Sequence, residues 1–283
     1  MMHYNTAQLD PIRITQLLQA ALAPRPIGLV SSLNAAGTPN LAPFSFFGLV
    51  SLNPPVVVFA PVSRLRDGSF KDTLHNVEAT GECVVHLVEQ EQVGQMNLCA
   101  VEYEEVVNEF SRSGFTPGSA LLVSPFLVKE CRVKLECRVQ AIHSLGNTRG
   151  AGNLVIARVV MVHIDDSLLD PDGKIKTVEY RPVARLGGDW YTRVAAETLF
   201  EMPKPNKKDC IGMDRLPLSI TASNQLSPNQ KASLALLDVH LLENRLHEPV
   251  TGMDISRAAA LIDKGRANEA WELLYPSTKI NVK

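Results

Sequence analysis

Residues 25–73, RPIGLVSSLNAAGTPNLAPFSFFGLVSLNPPVVVFAPVSRLRDGSFKDT, decide how this chain is read. Turn-forming residues at 34–37 and 53–55 cut the stretch into short apolar runs, a pattern of strands separated by tight turns. Strands are expected over 27–33, 41–46, 48–52 and 56–60. The stretch closes with PVSRLRDGSFKDT, a basic, hydroxyl-rich segment that opens a helix. Ser63, Arg64, Lys71 and Thr73 bring two cations, two hydroxyls and a helix N-terminus together, a combination that suits a dianionic phosphate. The same residues equally suit a solvated basic loop with a threonine cap. Taken alone they leave a nucleotide-type cofactor and a plain loop both open.

Upstream, Asp10 and Pro11 form a cap and first position for an amphipathic helix. Ile14, Leu17, Leu18, Ala21 and Leu22 follow helical spacing, and Pro24 and Pro26 end it. Downstream, LHNVEAT reads as a short helix closed by Gly81, followed by a strand over 82–88 and a helix over 92–99. ECRVKLECRVQAI, residues 130–142, alternates apolar and charged residues, which predicts a half-buried strand with Cys131 and Cys137 on its apolar face. Through LGNTRGAGN it joins a second apolar run, 154–164, as a long hairpin. YRPVARLGGDWY, residues 180–191, is rich in Pro, Gly and aromatics and is expected to end the first domain as an ordered loop. The domains predicted are 1–201, a polar linker at 202–210, and a helical extension over 211–283. In the extension a helix runs from the Ser227-Pro228 cap to about 242, and 255–264, Gly265 and 267–274 form a helical hairpin.

Bulk properties exclude several classes. At 283 residues the chain is long enough for a substantial core. Lys and Arg total 28 against 30 Asp and Glu, with no dense basic run, so nucleic acid is not an expected partner. No apolar stretch is long enough to span a bilayer, and MMHYNTAQLDP lacks the features of a secretory signal. A cytoplasmic protein without a membrane partner is expected. The cysteines, 83, 99, 131, 137 and 210, are odd in number and include no CxxC pair, so no zinc site is encoded. Cys131 and Cys137 lie six strand positions apart, roughly 20 Å, and cannot bridge each other. GxGxxG and GxxxxGK[ST] are absent, which removes a dinucleotide-binding fingerprint and a phosphate-binding P-loop. No Ser, His and Asp arrangement supports hydrolysis, and His163 on its apolar strand reads as a packed or interface histidine.

Three motifs in order, RPI through APFSFF, SR through KDT, and RPVARLGG, closely resemble the flavin reductase-like domain family. The resemblance covers roughly residues 10–194. It implies a mainly β fold with flanking helices, the FMN-binding split β-barrel, here with a C-terminal helical extension. It implies FMN as cofactor, with its phosphate at Ser63, Arg64, Lys71 and Thr73, Arg66 being an alternative to Arg64. It implies a ring site at Asn40, Pro43, Phe44, Ser45 and Phe46, with Arg25, Ser31 and Ser32 as ring or ribityl contacts. Alternation puts Phe44 and Phe46 on one strand face and Phe47 on the other. Arg185, with Gly187, Gly188 and Tyr191, is implied near the flavin, often that of a neighbouring subunit. A homodimer follows by the same analogy. The activity implied is NAD(P)H-linked oxidoreduction, electrons passing from NADH or NADPH through FMN to another acceptor. The alternative is a flavin-binding electron carrier that docks a partner through its helical tail.

Overall fold

Asp10 caps α1 (Pro11–Ala21): its carboxylate accepts from Ile12 N at 3.0 Å and Arg13 N at 3.2 Å. The computed structural model describes residues 1–202, 204–205, 209–242 and 252–276. Of the expected linker, residues 203 and 206–208 lie outside the described residues. The described chain divides between Phe200 and Glu201 into two compact units.

In the first unit the opening stretch folds into β1 (Arg25–Pro26), β2 (Gly28–Leu33), β3 (Pro39–Phe44), β4 (Phe47–Leu52), β5 (Pro55–Phe59) and α2 (Asp72–Thr80). Gly81 ends α2 in the left-handed region, φ +69°, a conformation that costs glycine nothing. Then come β6 (Glu82–Leu87), α3 (Val93–Leu98), α4 (Glu109–Ser113) and the short pair β7 (Pro117–Gly118) and β8 (Leu127–Val128). The hairpin β9 (Val133–Ser144) and β10 (Asn153–Ile164) follows, then β11 (Val183–Arg185) and β12 (Tyr191–Arg193). Among the described residues one seven-stranded antiparallel sheet has the order β3-β2-β6-β9-β10-β5-β4.

Period-two alternation feeds two cores, one on each face. From β2, Val30 joins Phe44, Phe59, Val85 and Val155, while Leu29 joins Leu41, Met96, Phe110 and Phe115. Both faces are covered, so β2 is buried almost throughout. Truncating Leu29, which has no exposed surface, would cost about 2–5 kcal/mol.

Three local expectations change. Residues 180–191 are not simply a loop, because β11 pairs with both β1 and β12, Arg25 standing opposite Arg185. Cys131 precedes β9 and packs in a different core from Cys137, so the two do not share a face; all five cysteines are free. Glu136, expected on a polar face, is fully buried. Its carboxylate accepts from Leu121 N (2.8 Å), Leu122 N (2.6 Å) and His163 Nε2 (2.7 Å), so the segment folded over it supplies the donors that water would have given.

The second unit contains α5 (Leu218–Thr221), α6 (Pro228–Ala235), α7 (Gly252–Ile262) and α8 (Ala267–Leu274). Ser227 and Gln230 form a reciprocal capping box on α6, which stops at Ala235 and gives way to a 3-10 turn over Val239–Leu242. Its core centres on Trp271, whose ring lies 4.9 Å from that of Tyr275, with Ile220, Leu234 and Ala258. No helix among the described residues is long and apolar enough to cross a membrane.

Candidate functional site

The segment between β5 and α2 is braced before it meets any ligand. Arg64 Nη1 donates to Phe70 O at 2.7 Å and Ser69 Oγ at 3.0 Å. Ser63 Oγ accepts from Gly150 N at 3.0 Å, tying the segment to the tip of the β9–β10 hairpin. Lys71 precedes α2 as its cap position, and no side chain caps that helix. Leu74 N donates to Lys71 O at 2.9 Å, no side chain serves the other first-turn amides, and the helix dipole favours an anion beside the lysine. Burial, and then Arg64, hold the Lys71 ammonium below its usual range, so an entering anion relieves both penalties.

These groups border two adjoining cavities that share Arg64, Lys71 and Glu102. The larger, about 530 Å³, has apolar lining from Ile14, Leu18 and Leu22 of α1 and its continuation, and from Phe46. Arg25 and Ser63 also line it. The smaller, about 30 Å³, is polar and reaches Asn40, Asp72, Thr73 and Glu109. Glu109 is almost wholly buried, and burial pushes its carboxyl up to about 6, with Asp72 adding to the effect.

Arg25 shapes the large cavity by holding α1. Its guanidinium donates to Gln19 O, to Leu22 O at 2.9 Å and to Leu186 O at 2.9 Å. Its Nε is buried without a hydrogen-bond partner, a donor left for a ligand acceptor. Gly187 lets α1 approach this closely, because a Cβ there would stand 2.7 Å from Ala20 Cβ.

The residues singled out in the sequence separate into groups. Arg25, Phe46, Ser63, Arg64 and Lys71 line the large cavity, and Asn40 and Thr73 the polar pocket beside it. Pro43, Ser45 and Arg185 line a third cavity of about 120 Å³ with Asn97 and Tyr191. Ser31 and Ser32 are buried within the fold, Ser31 donating to Phe126 O at 2.5 Å and Ser32 accepting from Asn76 at 3.0 Å. Phe44 packs on Phe59 at 5.3 Å in the core. It does not share a face with Phe46, because β3 ends at Phe44 and the chain bends at 45–46. Thr73 also turns inward: with the Asn40 amide oriented to satisfy both ends, its oxygen accepts from Thr73 Oγ1 at 2.9 Å and its nitrogen donates to Glu109 at 3.2 Å. Glu102, Glu109 and Gly150 escaped the sequence reading; only NEF, the cap and start of α4, marks any of them locally.

A family model described as "Flavin reductase like domain" matches residues 20–179. An uncharacterized protein of Aquifex aeolicus is 32% identical over 196 residues, 69% of this chain and 97% of that protein. Nitrilotriacetate monooxygenase component B from Bacillus cereus is similar in structure, with TM-score 0.67 and 30% identity over 71% of this chain and 98% of that one. The Pseudomonas fluorescens 2-nitrobenzoate 2-nitroreductase NbaA superposes with TM-score 0.64 at 25% identity, over 71% of this chain and 96% of that one. Sheet, flanking helices, motif order and relatives agree: the fold is a split β-barrel, and the chain belongs to the flavin reductase-like domain family.

Proposed function

We propose that the chain binds FMN in the large cavity and acts as an NAD(P)H-linked oxidoreductase, passing electrons to a further acceptor. The observation that carries this reading is the cavity's lining. Arg64 and Lys71, the latter at the cap position of α2, share one cavity with the apolar stripe of α1 and Phe46. That donor set fits a phosphate dianion joined to a flat apolar ring. FMN supplies the redox chemistry when bound. Arg64 enters its role already oriented by Phe70 O and Ser69. Lys71 offers a charge that lacks full hydration, Arg25 Nε a buried donor, and the α1 wall keeps water from the ring.

A nicotinamide nucleotide would have to reach an open ring face, because the chain carries no dinucleotide fingerprint. The 2-nitroreductase and monooxygenase-component names of the two structural relatives support redox work of this kind here. A homodimer belongs to the same proposal. Leu49, Val50 and Leu52 are 61%, 59% and 81% exposed on β4, an edge strand of the large sheet, and a second subunit would cover them.

Anaerobic titration of the FMN-loaded protein with NADH and with NADPH tests the reading. Loss of the yellow absorbance is expected with at least one. A protein that takes up no FMN sinks the proposal, whereas uptake without bleaching by either nucleotide leaves an electron carrier fed by a partner.

A further inference from the structure

Glu102 stands where an incoming phosphate must compete. It lies in the irregular chain between α3 and α4 and borders both cavities. One carboxylate oxygen is 3.0 Å from Arg64 Nε and the other 3.3 Å from Arg66 Nη2, so two cations of the phosphate segment converge on it. The approach to Arg64 is close but misaligned: that Nε is buried and has no hydrogen-bond partner. An oxygen on a tetrahedral phosphate can approach from a better direction. Glu102 is 45% exposed, unlike Glu109, which is buried and accepts from Leu41 N at 3.2 Å. A carboxylate and a phosphate dianion sharing this cradle repel, and Glu102 has solvent to retreat into.

We propose that Glu102 contests the flavin phosphate for Arg64 and Arg66 and thereby makes FMN an exchangeable ligand. The inference rests on the FMN reading above. Its consequence is a weaker-bound, faster-leaving flavin. The competition is selective for charge: riboflavin, which has no phosphate, does not meet it.

The test compares wild type with Glu102→Gln and Glu102→Ala, following flavin fluorescence for FMN and riboflavin at low and high salt. Both variants are expected to bind FMN about tenfold more tightly, one step of roughly 1.4 kcal/mol, and to release it more slowly. Riboflavin affinity stays constant and reports an intact cavity. The FMN gain shrinks at high salt, where charge repulsion is screened. Unchanged FMN affinity in both variants overturns the role of Glu102 and leaves FMN binding standing. An equal gain for riboflavin also overturns it, since loosening of the cavity would then be the cause. A wild type that binds no FMN removes both readings.

Discussion

Lys71 and Thr73 are two positions apart, yet the fold uses them differently. Lys71 borders the open cavity, whereas Thr73 is fully buried and its hydroxyl serves Asn40. Lys71→Ala should weaken FMN binding roughly tenfold to a hundredfold, the worth of one charged hydrogen bond, with little change in melting temperature. Thr73→Ala should instead cost about 0.5–1.5 kcal/mol of stability by removing one buried hydrogen bond to Asn40, seen as a lower urea midpoint. The reverse pattern would show that the hydroxyl, not the lysine, holds the phosphate. The cations stood out only through the family resemblance, since by themselves they suited a solvated loop equally well, and the fold sets Arg64 and Lys71 on the wall of the large cavity. The roles of the hydroxyls were not legible: Ser31, Ser32 and Thr73 satisfy partners 95, 44 and 33 residues away, which no local pattern reveals. His86 was equally opaque. It bridges Leu29 O (2.8 Å) and Val128 N (2.9 Å), and burial above all pushes its imidazole down to about 3. The neutral ring is thus favoured in the fold, and its contribution is complete above the ordinary histidine range. It is lost as pH falls from about 6.5 toward 3, by at most about 5 kcal/mol. Glu109 slopes the other way, since its raised carboxyl costs stability as pH climbs from about 4.5 to 6. Urea melts from pH 7 to pH 4 should show a net loss for wild type. His86→Gln should start less stable and lose less, and parallel curves would remove His86 as the cause.

At the scale of elements, α1 is held over the cavity by distant parts of the chain. Its start was readable from Asp10 and Pro11 and its end from Pro24 and Pro26, because caps and prolines act locally. Its seat was not readable, because that seat is Arg25 and the turn at Gly187, brought together by the pairing of β1 with β11. Three-residue strands set among Pro and Gly carry no periodicity to detect, which is why 180–191 looked like a loop. The long hairpin β9–β10 was legible for the opposite reason, having twelve residues in each arm. Gly187→Ala places a Cβ 2.7 Å from Ala20 Cβ and 2.9 Å from the backbone α-carbon of Ala20, so α1 must move outward. The expected result is several-fold weaker FMN binding. Adding Ala20→Gly removes the clash with the methyl group but leaves the one with the backbone, and it costs about 1 kcal/mol of helix stability. The double variant should therefore recover affinity only in part. Full affinity in Gly187→Ala alone would mean that α1 does not form a wall of the flavin site.

The whole chain joins a barrel to a helical unit, and their cores are built from separate stretches. The residues of the two barrel cores end at Val159 and at Val183 with Tyr191 packed on it, whereas the helical core runs from Ile211 to Tyr275. The family match, over residues 20–179, likewise falls within the first unit. The described residues that line the large cavity, from Ile14 to Gly150, all belong to the first unit. A chain ending at residue 200 should therefore fold and bind FMN with the affinity of the full chain. Two tryptophans make the comparison direct: Trp190, in the first unit, is 75% exposed, whereas Trp271, in the second, is 1% exposed. Unfolding the full chain should give a large red shift in tryptophan emission from Trp271. The shortened chain should show little shift, because Trp190 already faces water. Calorimetry then locates the barrel transition in both chains, and saturating FMN should raise it, by about 2.7 kcal/mol at a hundredfold excess over the dissociation constant. If the shortened chain loses FMN affinity while its barrel transition persists, the helical unit contributes to flavin binding. If the barrel transition itself disappears, the helical unit is required for the fold of the first unit.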